Sequence, residues 1–167
     1  ELEKRFDLAV ELADCDPAVD PPIMLQNNPF SAPVEGVLES FGLPGRGEVD
    51  PCTVMSVFYY VLFGLMLSDA AYGLLMVIGC GFALFKFKNM ESGMRKTLQM
   101  FFYCGISTTF WGFMFGSFFG DAVNVIATTF FGRPDIRLAP IWFEPVSLPM
   151  KMLVFAFLIG IIHLFTG

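Results

Sequence analysis

Histidine occurs once in the 167 residues, at His163, and charged side chains make up only 16%, against about 25% in soluble domains. A lone histidine leaves no room for a His-based metal cluster or catalytic dyad. Cysteine is sparse too. Cys15, Cys52, Cys80 and Cys104 include no CxxC pair and no spacing that would hold zinc, so they read as free thiols. That excludes a disulfide-stapled secreted scaffold. Basic residues form no stripe able to neutralise phosphates, which excludes nucleic acid as a partner. Neither a phosphate-cradling glycine loop nor a pair of carboxylates in an apolar setting is present. Catalysis by this piece alone is therefore not expected, and no metal or cofactor is implied.

Apolar residues, in contrast, reach 55%, with 21 phenylalanines, and mean hydropathy is +0.64. A soluble domain of this size has too little interior to hide that surface, and an intrinsically disordered chain would not carry it. Charge is segregated. Positions 1–53 hold 11 of the 16 acidic residues and 3 of the 10 basic ones, a balance of −8, whereas the remainder stands at +2. The net charge of −6 thus belongs to the leading segment.

Leu2, Phe6, Ala9, Val10 and Ala13 recur at helical spacing among Glu1, Glu3, Lys4, Asp7 and Glu11, which predicts the end of an amphipathic helical arm within 1–21. Three prolines and three aspartates between Asp14 and Pro22 stop it. Over 22–53 the turn signals Asn28-Pro29, Pro33 and Pro44-Gly45 predict an irregular strap. Val54 to Phe85 then runs for 32 residues with Asp69 as its only charge. A single straight helix of that length would be about 48 Å long, well beyond the ~30 Å hydrocarbon core. Two readings follow: one long tilted helix, or two short helices meeting near Ser68-Asp69, which Gly64 and Gly73 on either side favour. Thr97 to Gly120 has 24 residues and no charge, a spanning length. Pro149 to Gly167, with Lys151 at its mouth, is a further span, whereas the ten-residue apolar stretch Ala122 to Phe131 suits an interfacial or re-entrant piece. The expected fold is all-α: a polytopic transmembrane helical bundle of about four spans over 54–167, the first two forming a short hairpin. Glu1 opens inside an amphipathic pattern and Gly167 follows directly on an apolar run, so a piece of a longer protein is expected.

Orientation follows from the basic residues of short loops. Lys86, Lys88, Arg95 and Lys96 face only Glu91 in the 86–96 connection, while the longer 121–144 connection holds Arg133 and Arg137. The first belongs on the cytoplasmic side. If Val54 to Phe85 crosses twice, the acidic leading segment is cytoplasmic too; if it crosses once, that segment lies outside. Trp142, Phe143 and Tyr103 are candidate interfacial anchors, and Trp111, in mid-span, reads as a packing residue.

Among residues that could carry chemistry, Asp69 stands out, because a carboxylate in an apolar run costs roughly 2.5–3.5 kcal/mol on insertion scales. Either it borders an ion or proton pathway, or it caps the second of two short helices by accepting backbone N–H groups, the reading the run length favours. His163 is of the residue type that can exchange protons, although a single histidine near a helix end more often bonds a carbonyl or headgroup. Gly112, Gly116 and Gly120 spell GxxxGxxxG and predict a close-packing helix seam. Ser107, Thr108 and Thr109 offer hydroxyls that can bond back to the i−4 carbonyl. Met55, Met66 and Met76 read as apolar filling.

Several separated motifs carry a resemblance. Pro22-Ile23-Met24-Leu25-Gln26-Asn27-Asn28-Pro29, Pro33-Val34-Glu35, Phe41-Gly42-Leu43-Pro44-Gly45 and Glu48-Val49-Asp50-Pro51 come first. Phe63-Gly64, Met66, Asp69 and Tyr72-Gly73 follow, then Gly112 through Gly120 and Gly160-Ile161-Ile162-His163. Together they resemble the large membrane subunit of V-type and archaeal-type rotary ATPases, subunit I in prokaryotes and subunit a elsewhere, from about Pro22 to Gly167. Cys52 stands where that family usually has threonine, and Ser68 and Ala71 where it usually has glycine.

The resemblance implies a cytoplasmic arm joined to a membrane domain of eight helices, a multi-pass stator, here of a prokaryotic plasma membrane. It implies as partners the proteolipid rotor ring, the central-stalk cap, the peripheral-stalk subunits and the lipid bilayer. Proton or sodium translocation would be coupled to ATP chemistry on other subunits. The family's essential arginine on a later helix is missing, which implies a piece holding the first four helices. On this reading 54–167 is scaffold, and Asp69, Asp121 and His163 at most border an aqueous path. Two other readings compete: a secondary transporter or channel broken at Ser68-Asp69, and a self-associating scaffold resting on the glycine seam alone.

Overall fold

Proline and aspartate punctuation decides where the helices begin. The computed structural model describes residues 23–45, 47–120, 122–130, 140–145 and 147–166; the arm expected within 1–21 and Asp121 lie outside them. The Asn28 carbonyl accepts the N–H groups of Ser31 at 2.9 Å and Ala32 at 2.8 Å. This turn opens a 3-10 segment, Ala32–Val34, with proline in its first positions, where a missing N–H costs nothing. The chain continues into α1 (Glu35–Phe41), which ends at Gly42 with φ 140°. The strap expected to be irregular over 22–53 therefore contains a short helix. Burial overrides its proline and glycine signals: Val34 and Val37 pack against Tyr60, Met100 and Cys104.

Five further helices follow: α2 (Cys52–Leu67), α3 (Ala70–Lys86), α4 (Ser92–Phe115), α5 (Ala122–Phe130) and α6 (Pro149–Thr166). Among the described residues the fold is all-α, without a β-strand. The 32-residue apolar run is two helices, of 16 and 17 residues, or about 24 and 26 Å at helical rise. Among the described residues only α6 is a candidate membrane span by length and composition, and none of it is buried; α2 and α3 are apolar but shorter. The expected bundle of four spans thus meets a single helix that passes that test. The 24-residue α4 carries Arg95, Lys96 and Gln99 in its first two turns and stops before the end of the uncharged run.

The core lies where α2 and α3 pack on α4, in two clusters at opposite ends. Val34, Tyr60, Met100 and Cys104 form one, beside the strap. Leu65, Phe115 and Phe143 form the other, with Trp111 and Phe155 against it. Trp111 stacks on Phe115 at 5.7 Å between centroids and meets Phe155 edge-on at 5.7 Å, so it is a packing residue. Outside the core the apolar surface is large. Leu74, Leu75, Ile78 and Phe82 on α3, and Leu153, Val154, Phe157 and Leu164 on α6, are each more than half exposed. Continuous apolar area of this kind marks a surface made for lipid or for other helices.

Candidate functional site: the Asp69 clamp

Ser68 ends α2 in the left-handed region, at φ 45°, with its N–H on the Gly64 carbonyl at 2.8 Å and its hydroxyl on the Leu65 carbonyl. Asp69 is then extended, at φ −126° and ψ 117°, the geometry of a helix N-cap. One carboxylate oxygen accepts the N–H of Ala71 at 3.0 Å and of Tyr72 at 3.3 Å, which satisfies two orphan donors of α3. The chain after α4 supplies three more donors. The Phe119 N–H reaches the same oxygen at 3.0 Å, while the Gly120 N–H at 2.8 Å and the Ser117 hydroxyl at 3.2 Å reach the other. Asp69 is only 6% exposed, yet its carboxylate has five donors. Beside it the Ala70 N–H donates to the Ser117 carbonyl at 2.9 Å.

Such convergence requires backbone to touch backbone. A Cβ on Gly112 would lie 2.0 Å from the Ala70 nitrogen and 2.5 Å from the Asp69 carbonyl carbon. One on Gly73 would lie 2.5 Å from the Thr109 nitrogen, and one on Gly64 would lie 2.7 Å from the Ser107 carbonyl carbon. Gly105 lies against Met76 and the Gly73 carbonyl. The seam is therefore built by Gly64, Gly73, Gly105 and Gly112. The expected row Gly112, Gly116 and Gly120 does not run down one helix face. Gly116 caps α4 at φ 70° and Gly120 lies beyond it in a turn at φ 67°, so of the three only Gly112 is helical. The signal that was available is the seven-residue spacing of Gly105 and Gly112, which puts both on one face of α4. Thr108 and Thr109 bond back to the Cys104 and Gly105 carbonyls, each at 2.8 Å.

The other end of the helices holds contacts that the sequence did not single out. Glu35 of α1, 4% exposed, pairs with Lys96 of α4 at 2.6 Å. The Tyr60 hydroxyl donates to the Phe30 carbonyl at 2.9 Å. Asp50 accepts the Asn27 amide at 2.7 Å and the Cys52 N–H at 2.9 Å, which ties the two ends of the strap together. Burial by itself pushes the Asp50 carboxyl up, but the N–H and thiol of Cys52 and the amide of Asn27 outweigh it and hold the group below its ordinary value.

His163 does not join Asp69. Its ring lies 4.5 Å from that of Phe58, eleven residues before Asp69 and about 16 Å away along the helix axis. Among the described residues no three His, Cys, Asp or Glu side chains are grouped to hold a metal ion.

Comparison with known proteins agrees with the motifs. A model of the V-type ATPase 116kDa subunit family matches residues 5–137. The chain is similar to the A-type ATP synthase subunit I of Thermococcus kodakarensis, 32% identical over 148 residues, which are 87% of this chain and 22% of that protein. It is similar to the A-type ATP synthase subunit I of Methanocaldococcus jannaschii, 30% identical over 178 residues, 95% of this chain and 25% of that one. With the V-type ATP synthase subunit I of Chlamydia trachomatis it shares 28% identity over 130 residues, 74% of this chain and 20% of that protein. The chain spans about a fifth to a quarter of the length of these curated relatives.

Proposed function

This chain belongs to the V-type ATPase 116kDa subunit family, and from that premise we propose that it is a scaffold portion of the membrane stator of a rotary ATPase or ATP synthase. The stator would sit in the bilayer beside a proteolipid rotor ring, linked to central-stalk cap and peripheral-stalk subunits. The ring would carry protons or sodium ions while the ATP chemistry stays on other subunits.

The observation that carries this reading is that the α2–α3 junction is fastened to the chain leaving α4 by the Asp69 clamp, while the Glu35–Lys96 pair fastens the strap to the start of α4. A stator has to resist torque in a solvent that gives helices no hydrophobic reason to associate, so close backbone packing and satisfied polar ties suit the task. The ion pair also brings the strap to the basic 86–96 connection. That supports α2 and α3 as a hairpin crossing twice, with α4 and α6 as the third and fourth spans, the strap cytoplasmic and Asp69 at the far surface.

The five donors on Asp69 favour a positioning role over ion exchange, since a carboxylate already filled by fixed N–H groups has little reason to pick up a proton. His163 and Asp121 at most border an aqueous path. The test is ATP-driven ion pumping in reconstituted complexes carrying Asp69→Asn or His163→Ala, scaled to the amount of assembled complex. The expected result is unchanged pumping per complex for both, with less complex assembled for Asp69→Asn. Normal assembly with pumping abolished would move the altered residue into the ion path.

A further inference from the structure

Trp142, Val154, Phe155 and Leu158 wall an open groove of about 470 Å³, and Lys151 is its one charged lining residue. Residues 151, 154, 155 and 158 follow the i, i+3, i+4, i+7 spacing of a single helix face. The groove therefore runs along α6 for about 10 Å, with an ammonium group at one end and hydrocarbon at the other. Lys151 lies in the first turn of α6, where the helix dipole disfavours a cation. Among the described residues no carboxylate pairs with it. Trp142, 49% exposed, stands beside it with its ring edge-on to Phe155 at 4.9 Å. Val154 and Leu158 remain 62% and 53% exposed, so the chain's own described side chains leave the hydrocarbon end open.

We propose that this groove seats one anionic phospholipid, with its phosphate on the Lys151 ammonium and an acyl chain along Val154, Phe155 and Leu158. The proposal rests on the reading of α6 as a membrane span. A lipid matches the order of the lining groups: an anion where the helix enters the bilayer, an indole at headgroup depth and a hydrocarbon track below. A further protein helix would fit only if it brought a carboxylate to Lys151, and cross-linking to a polypeptide at position 158 is the outcome that would reveal one. The volume lies within the range of sites that hold small molecules.

The test uses the assembled complex with the full-length subunit, in nanodiscs of equal parts phosphatidylglycerol and phosphatidylcholine. A photoreactive p-benzoylphenylalanine replaces Leu158 or, as a control, Phe157, which is 70% exposed and faces away from the groove. After irradiation, mass spectrometry identifies the attached lipid. At position 158 phosphatidylglycerol should exceed phosphatidylcholine about fivefold, the worth of one lysine near an anionic headgroup. Lys151→Gln should bring the ratio close to one, and position 157 should show no preference. An equal ratio at 158 with Lys151 in place, the same excess at 157, or cross-linking at 158 to a polypeptide segment would each overturn the proposal. Release of the subunit from native membranes by alkaline carbonate would overturn the span reading beneath it, a failure distinct from loss of lipid preference alone.

Discussion

The Asp69 carboxylate accepts the backbone N–H of Gly120 at 2.8 Å across 51 residues of sequence. An aspartate between two short helices is thereby also the lock on the chain leaving α4. Replacement by alanine strips both helix-cap bonds and leaves the Phe119 and Gly120 donors without their acceptor, each loss worth on the order of 1–3 kcal/mol. Asparagine caps a helix about as well as aspartate, but its amide NH2 would oppose the Gly120 N–H or the Ser117 hydroxyl. The expected order of melting temperature in detergent is wild type above Asp69→Asn above Asp69→Ala. A melting temperature for Asp69→Ala equal to that of the wild type would remove the clamp.

Gly112 has no tolerance for a side chain, because what its Cβ would meet is the backbone nitrogen of Ala70, 2.0 Å away. Overpacking of this kind costs roughly 1–3 kcal/mol even where flexible groups can yield, and here α3 would have to move off α4. Gly112→Ala should therefore lower the yield of folded subunit sharply. Gly79→Ala in α3, whose Cβ meets nothing within 4 Å, should be neutral or slightly stabilising through helix propensity. Size-exclusion chromatography of the two variants from matched membranes measures the contrast, and similar profiles would contradict the seam.

The break at Ser68-Asp69 was legible as the favoured of two readings, because one helix of 32 residues overruns the hydrocarbon core and Gly64 and Gly73 flank the Ser-Asp pair. What Asp69 holds was not legible, since nothing local marks a partner such as Gly120, 51 residues away. The glycine pattern misled for a related reason. Periodicity assumes that the helix continues, and Gly116 is where α4 stops. α1 escaped notice because its residues gain from packing on Tyr60 and Met100 rather than from propensity. Asp69, Gly112 and Gly120 meet in one place in the fold, the clamp, whereas His163 lies apart against Phe58.

Glu35 and Lys96 supply a test of the strap. The Glu35 side chain is 5% exposed and that of Lys96 41%, at 2.6 Å. Solvent at the lysine reduces the pair below a fully buried one, to a coupling of about 1–2 kcal/mol. In a double-mutant cycle of Glu35→Gln and Lys96→Gln, the Glu35 change should cost little more once Lys96 is gone. Thermal unfolding of the four proteins gives the coupling, and strictly additive losses would show that strap and α4 are not joined through this pair.

Asp50 makes acid stability a readout of the same strap. Its carboxyl is held below the ordinary value in the folded chain, because the bonds from Cys52 and Asn27 outweigh burial. A group depressed on folding contributes stability that is fully present above its unfolded value, ~3.9. That contribution disappears as pH falls through the folded value. Asp50→Asn should accordingly be less stable than the wild type above about pH 4, and the two melting curves should converge as the pH is taken lower. Asn27→Ala removes one of the donors holding the charge and should move the wild-type acid transition toward higher pH. Melting temperatures followed from pH 6 down to pH 3 would show both effects. A gap between wild type and Asp50→Asn that persists unchanged at the acid end would mean that the charge of Asp50 does not fasten the strap.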